Sequence, residues 1–327
     1  MLEASDVTIR RARPDDDPAI VRLLADTLGW DDEERYHRLF AWKHRENPFG
    51  PSPGWVAVDA RGLVGSRTLM RWVFRAGPDR LRAVRPVDTA THPRARGHGI
   101  FRSLTLRAVA ELTAEGVDLA FNTPNSQSLP GYLSMGWKPV GRVPLSINIG
   151  TLWRVPQIAY ARQEAGGLWS LPTSCGEDAS SVLDATGEVS DLLARQPVDS
   201  RIRSERSVEY LRWRYGSPTV PYRVFLLGRS PEEGLVFFRL RRRGGTVEAL
   251  IAESLTPPAS HRNVSDVIGR IVRGSGADYA VALGRPRMPG FLPVPRGGPL
   301  LTWRPLSNQR ACPFEDWGLC AGDIELF

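Results

Sequence analysis

Thr91-His92-Pro93-Arg94-Ala95-Arg96-Gly97-His98-Gly99-Ile100-Phe101 is the stretch that decides how this chain is read. It follows an extended run, Leu81 to Ala90, and leads into Arg102 to Leu112, whose apolar residues recur at helical spacing. The order is strand, glycine loop, helix. Two glycines at a helix start let the backbone approach an anion, and the first-turn N–H groups, unsatisfied within the helix, can point at it. A phosphate is the expected guest. The spacing lacks the third glycine of the dinucleotide fingerprint and the Gly-Lys-Ser/Thr of the nucleotide hydrolase loop, so a different pyrophosphate loop is required.

The chain has 327 residues, enough for two domains of roughly 150 residues, each able to bury its own core. Apolar residues make up 42% and charged residues 24%, which fits a soluble globular protein. Met1 to Asp6 has neither a basic region nor an apolar run, and no segment approaches 18 uninterrupted apolar residues, so a cytoplasmic protein without membrane association is expected. Cys175, Cys312 and Cys320 form no CxxC pair and are expected to be reduced thiols, and no metal site is expected. The net charge is +7, but Lys43 and Lys138 are the only lysines, so arginine supplies 41 of the 43 basic residues. That skew fits codon bias better than selection for nucleic acid, which is not expected as a partner. The dense run Arg239-Leu240-Arg241-Arg242-Arg243 reads as the solvated end of a hairpin.

Along the chain, Val7 to Ala12 alternates like a strand, and Asp15-Asp16-Asp17-Pro18 opens a helix over 19–28. A second helix is predicted from about Asp31 to Arg45, stopped by Asn47-Pro48-Phe49-Gly50. Strands at 55–58 and 63–74 follow, then the strand at 81–90, the glycine loop and its helix. A strand at 118–122, a short helix at 126–134 and strands within 138–149 complete the first half.

This order, with Pro93-Arg94-Ala95-Arg96-Gly97-His98-Gly99-Ile100, resembles the GNAT superfamily of CoA-dependent N-acyltransferases, whose fourth-strand motif places an Arg or Gln before Gly-x-Gly. A second motif strengthens the resemblance: Asn125 after the fifth strand, Tyr132 on the next helix, then Gly136-Trp137. One departure is Phe101, where the family usually has a small residue. The resemblance implies an α/β (α+β) chain of two GNAT-like domains, each a mixed, mostly antiparallel sheet flanked by helices. The expected boundaries are 1–150 for an acetyl-CoA-binding domain, 151–197 for a linker, which can carry a helix of its own, and 198–327 for a degenerate copy with a docked C-terminal tail. The copy is visible as an echo of Phe40 to Pro48 in Leu211 to Pro218, of Trp55 to Val58 in Tyr222 to Phe225, and of Gly62-Leu63-Val64 in Gly234-Leu235-Val236. Its counterpart of the loop, Ser254 to Arg262, has no glycine and two prolines that lack N–H donors, so one CoA site is expected.

By the same resemblance, Thr89, Thr91, Arg96, Gly97, His98, Gly99, Ile100, Phe101 and Asn125 are expected to bind acetyl-CoA or another acyl-CoA. Tyr132 takes the role of general acid towards the departing thiolate, which suits a phenol with a reference pKa of about 10. A backbone N–H within Asp88-Thr89-Ala90-Thr91 would meet the oxyanion. Asp88 is the first side-chain candidate for the base. His37 and His44 could line the acceptor pocket, while Asp323, Glu325 or the Phe327 carboxylate could enter it from the tail. Trp42, Phe49, Trp55 and Trp72 could line a cleft but are more often core. The expected activity is transfer of an acyl group, most often acetyl, to the amine of a small molecule by direct attack, in a monomer or homodimer. The alternatives are an aminoacyl-tRNA-dependent transferase of tandem GNAT type and a non-catalytic acyl-CoA-binding module.

Overall fold

The computed structural model describes residues 7–29, 33–150, 158, 169–197, 200–257, 264–284, 290–307 and 313–325. The chain divides into two compact units, one formed by residues 1–141 with 300–314, the other by 142–299 with 315–326. Both are mixed α/β units built on mostly antiparallel sheets.

The first unit runs β1 (Thr8–Arg11), α1 (Asp17–Leu28), α2 (Glu33–His44), β2 (Gly54–Asp59), β3 (Gly62–Ala76), β4 (Asp79–Thr91), α3 (Ile100–Ala114), β5 (Leu119–Asn122), α4 (Leu129–Ser134) and β6 (Lys138–Arg142). Helix α1 starts on Asp17-Pro18 and stops at Gly29, whose left-handed φ of 70° lets its N–H reach the carbonyl of Ala25. The strands order β1-β2-β3-β4-β5-β15-β6, where β15 is Leu300–Pro305. Helix α3 lies on this sheet, and Ile100, Leu104, Ala108 and Leu112 bury against Trp55, Val64, Leu69 and Val84. Each large aliphatic side chain buried this way contributes roughly 1.5–3 kcal/mol. The approach is close at Gly65, where a Cβ would stand 2.6 Å from Ile100 Cγ2.

The second unit contains β7 (Leu145–Ile149), β8 (Glu177–Asp178), α5 (Ala179–Leu183), α6 (Thr186–Ala194), β9 (Arg203–Ser204), α7 (Val208–Tyr215), β10 (Arg223–Leu226), β11 (Leu235–Arg243), β12 (Thr246–Leu255), α8 (Val264–Ser275), β13 (Tyr279–Leu283) and β14 (Leu292–Pro293). Its sheet orders β14-β7-β13-β12-β11-β10-β8. Helix α8 buries the stripe Val267, Ile268, Ile271 and Val272. The succession α7-β10-β11-β12-α8-β13 repeats α2-β2-β3-β4-α3-β5, and in both sheets the strands flanking the crossover helix run parallel.

The sheets divide the chain differently from a cut at residue 150. Strand β7, expected in the first domain, pairs with β13, while β15 pairs antiparallel with β5, Thr302 facing Asn122 and Trp303 facing Phe121. Within the segment read as a linker, β8 pairs with β10, and α5 and α6 pack in the second unit. Residues 151–157 and 159–168, like 258–262 of the glycine-free loop, lie outside the described residues.

The run 239–243 is not a solvated hairpin end. It closes strand β11, whose alternation turns Arg239 and Arg241 inward, 1% and 7% exposed. There Glu325 pairs with Arg239, and Glu248 accepts from Arg241 at 2.5 Å. Buried guanidinium groups are tolerated because carboxylates meet them. In the tail, Trp317, Leu319, Ala321 and Ile324 are buried. Cys175 and Cys320 are free thiols, and Cys312 lies outside the described residues. Among the described residues no helix is long and apolar enough to cross a membrane.

Candidate active site

Strands β4 and β5 are paired in parallel only at Ala83–Leu119 and Val84–Ala120. Beyond that point a cavity of about 420 Å³ opens, lined among others by Asp88, Thr89, Thr91, Phe101, Asn125 and Tyr132. The first unit thus brings six of the sequence-predicted residues to one hollow, while Arg96, Gly97, His98, Gly99 and Ile100 are not among those lining it.

The glycine loop lies between Thr91 and Phe101, which both line the cavity. His92 to Ala95 makes a 3-10 turn, with the Arg94 N–H donating to His92 Nδ1 at 3.2 Å and the Arg94 side chain paired with Asp59 on the β2–β3 turn. That pairing holds the Asp59 carboxyl below its ordinary range. Gly97 and Gly99 adopt φ of 83° and 72°, with open space where a Cβ would stand, so conformation rather than crowding demands glycine there. Gly99 caps α3 without any side-chain hydrogen bond, and the first intrahelical bond is Ser103 N–H to Gly99 carbonyl at 2.9 Å. The N–H groups of Ile100, Phe101 and Arg102 precede that bond and have no acceptor within the helix. A diphosphate fits such a loop. The Arg96 N–H is less available, since it donates to the Pro93 carbonyl at 3.3 Å.

Strand β4 bulges at the cavity. Ser66 faces Ala90 and Thr68 faces Val87, so Arg67 alone stands opposite Asp88 and Thr89. Asp88 takes φ of 45°, a left-handed conformation that costs a non-glycine residue roughly 1–2 kcal/mol. Its Oδ2 accepts from Lys43 Nζ at 2.5 Å and from His44 Nε2 at 2.8 Å. Burial raises the Asp88 pKa, but the Lys43 charge and the His44 hydrogen bond outweigh it and leave the carboxyl well below the ordinary range. Asp88 is therefore ionised and a weak proton acceptor. His44 is fully buried, and burial lowers its pKa against the opposing pull of Asp88. A neutral ring donating from Nε2 accepts at Nδ1 from the Ser52 hydroxyl, 3.0 Å away. Neither His37 nor His44 lines the cavity.

Tyr132 is 5% exposed and packs edge-on against Phe101 and Trp137, ring centroids 5.7 and 5.1 Å away. Asn125 stabilises the start of α4: its Oδ1 accepts from the N–H groups of Gln127 and Ser128 at 3.1 and 2.9 Å. Trp42, Trp55 and Trp72 are core residues, each at most 1% exposed.

Asp323 and Glu325 do not line this cavity. In the second unit, the Asp323 carboxylate accepts from the Ser204 hydroxyl at 2.5 Å, and Glu325 accepts from Tyr222 and Arg214 at 2.6 and 3.1 Å. Phe327 lies outside the described residues. Sequence reasoning missed Arg67, Lys43 and the role of His44, which are brought to the bulge from β3 and α2.

Residues 8–140 match the family model described as "Acetyltransferase (GNAT) domain". No curated protein matches the sequence. Among solved structures, a conserved protein of unknown function from Enterococcus faecalis, described as a probable N-acyltransferase, superposes with a TM-score of 0.64 at 14% identity, covering 92% of this chain and 73% of its own. A GCN5-related N-acetyltransferase from Anabaena variabilis gives 0.61 at 13% identity with the same coverage, and Eis1 from Mycobacterium abscessus gives 0.54 at 13%, again covering 92% and 73%. At these identities the likeness is one of fold.

Proposed function

We propose that this protein transfers an acyl group, most often acetyl, from its CoA thioester to the amine of a small molecule by direct attack. The observation that carries the reading is the cavity at which the opened β4–β5 pair, Phe101 in the first turn of α3 and Tyr132 converge. Gly97 to Phe101 would hold the CoA pyrophosphate through backbone donors, supported by the positive end of α3. Thr89 and Thr91 line the hollow and would flank the pantetheine, and Asn125 fixes the start of α4 that carries Tyr132.

The bulge at Asp88 and Thr89 interrupts the ladder, and a backbone N–H released there would stabilise the oxyanion that develops on the thioester carbonyl. Tyr132 donates its phenolic proton to the departing thiolate and is reprotonated, through water, by the proton that the nitrogen of the adduct loses as the amide forms. Asp88 presents a fixed negative charge to the incoming ammonium group rather than removing its proton. The amine gives that proton to water and attacks as the free base. Isothermal titration with acetyl-CoA, followed by a screen of small amines for release of free CoA, tests the reading. Turnover that falls strongly in Tyr132→Phe with little change in the KM for acetyl-CoA supports it, and unchanged turnover refutes the role of Tyr132.

A further inference from the structure

Arg67 is completely buried, and its guanidinium sits 5.2 Å from the ring centroids of both Phe101 and Tyr132. Among the described residues no carboxylate pairs with it, and Nε and Nη2 have no hydrogen-bond partner. Its one acceptor is Thr89 Oγ1, 2.6 Å from Nη1. Two ring faces offset part of the cost of burying this charge, while an unsatisfied charged donor in such a place costs more than the roughly 1–3 kcal/mol of a neutral one. A merely structural arginine at this position would be expected to find a carboxylate or a carbonyl.

The bond fixes what the Thr89 hydroxyl can do. An oxygen that accepts from a guanidinium must direct its own proton elsewhere. The nearest protein acceptor recorded for it is the Val87 carbonyl at 3.5 Å, too long for a strong O–H···O bond. Thr89 also lines the cavity, beside Asp88 and Tyr132. The geometry points to Thr89 as a catalytic residue whose hydroxyl donates to the thioester oxygen as it becomes an oxyanion, with Arg67 as the positioning residue that orients and polarises that hydroxyl. This inference rests on the proposed acyl-CoA chemistry and adds to it a side-chain donor alongside the backbone N–H. No bond is made or broken by Thr89, and its proton stays on oxygen throughout.

The test needs no acceptor. Acetyl-CoA isotope-labelled at its thioester carbonyl is bound to the full-length protein, and the carbonyl stretch is read by difference infrared spectroscopy. Wild type and Thr89→Ser are expected to shift the stretch to lower wavenumber relative to free acetyl-CoA. Thr89→Val, which keeps the shape and loses the donor, is expected to lose that shift while binding acetyl-CoA within about threefold of wild type. Arg67→Met is expected to reduce the shift. Once an acceptor is in hand, Thr89→Val should lower kcat by on the order of 10²-fold with little change in KM, and Thr89→Ser should restore most of it. Should Thr89→Val fail to fold, loss of the shift in folded Thr89→Ser overturns the inference. A shift retained in Thr89→Val, or a wild-type stretch identical to that of free acetyl-CoA, overturns it while leaving the donor reading intact. Failure of wild type to bind acetyl-CoA overturns both.

Discussion

Phe101 Cε1 lies 3.0 Å from the point where a Cβ on Gly131 would stand. The large residue that departs from the GNAT pattern is thus accommodated by the absence of a side chain on α4, and its ring then meets Tyr132 edge-on at 89°. Gly131→Ala should press the ring towards Tyr132 and Arg67 and destabilise the protein by roughly 1–3 kcal/mol, the usual cost of overpacking. Combining it with Phe101→Leu should recover much of that loss. Urea midpoints of the two single variants and the double variant measure the coupling, and strict additivity would show that the two residues do not interact.

The ion pair of Lys43 with Asp88 is nearly buried, with side chains 4% and 11% exposed. Asp88→Asn removes the charge that compensates Lys43 and should cost about 3–5 kcal/mol, measured by chemical denaturation at neutral pH. Adding Lys43→Met should restore part of that stability. Acceptor turnover should stay low in the double variant, because the charge facing the ammonium group is still missing.

His44 supplies a pH dependence of stability. Its folded-state pKa is held below 6.5 by burial, so as the pH falls below 6.5 the unfolded chain takes up a proton that the folded chain does not. The contribution is fully present above that value and is lost on acidification. Asp88, held well below 3.8, keeps its charge throughout this range. Between pH 6.5 and about 5, Tm should fall less steeply in His44→Gln than in wild type. Parallel profiles would show that His44 does not titrate as described.

What the sequence made legible were the parts whose signals are local. A glycine pair at a helix start, the tyrosine on α4 and the echo of Trp55 to Val58 in Tyr222 to Phe225 can each be read from neighbouring residues. The exchange of β7 and β15 between the sheets could not be read so. Leu300-Leu301-Thr302-Trp303 looks like a strand, but its pairing with β5 joins residues about 180 positions apart, as with Thr302 and Asn122. The network at the bulge is similarly non-local: His44 and Asp88 meet across 44 positions, and Arg67 stands between Ser66 and Thr68, a polar stretch that gives no sign of a buried charge. The run 239–243 was misread because its carboxylate partner, Glu325, comes from the distant tail.

The glycines of the loop should affect binding before they affect the core. Gly99→Ala meets no neighbour but must adopt φ of 72°, a strain of roughly 1–2 kcal/mol that the loop can escape by moving. A folded variant with unchanged Tm and an affinity for CoA lowered about tenfold is the expected outcome, read by isothermal titration. Equal affinity would show that the backbone of this turn does not hold the cofactor.

Thermal unfolding with and without acetyl-CoA tests most directly whether the hollow between β4 and β5 binds acyl-CoA. A ligand present at 100 times its Kd stabilises the folded state by about 2.7 kcal/mol, so Tm should rise by several degrees, and less so in Gly99→Ala. No rise in Tm with acetyl-CoA or any other CoA ester at millimolar concentration would contradict the account.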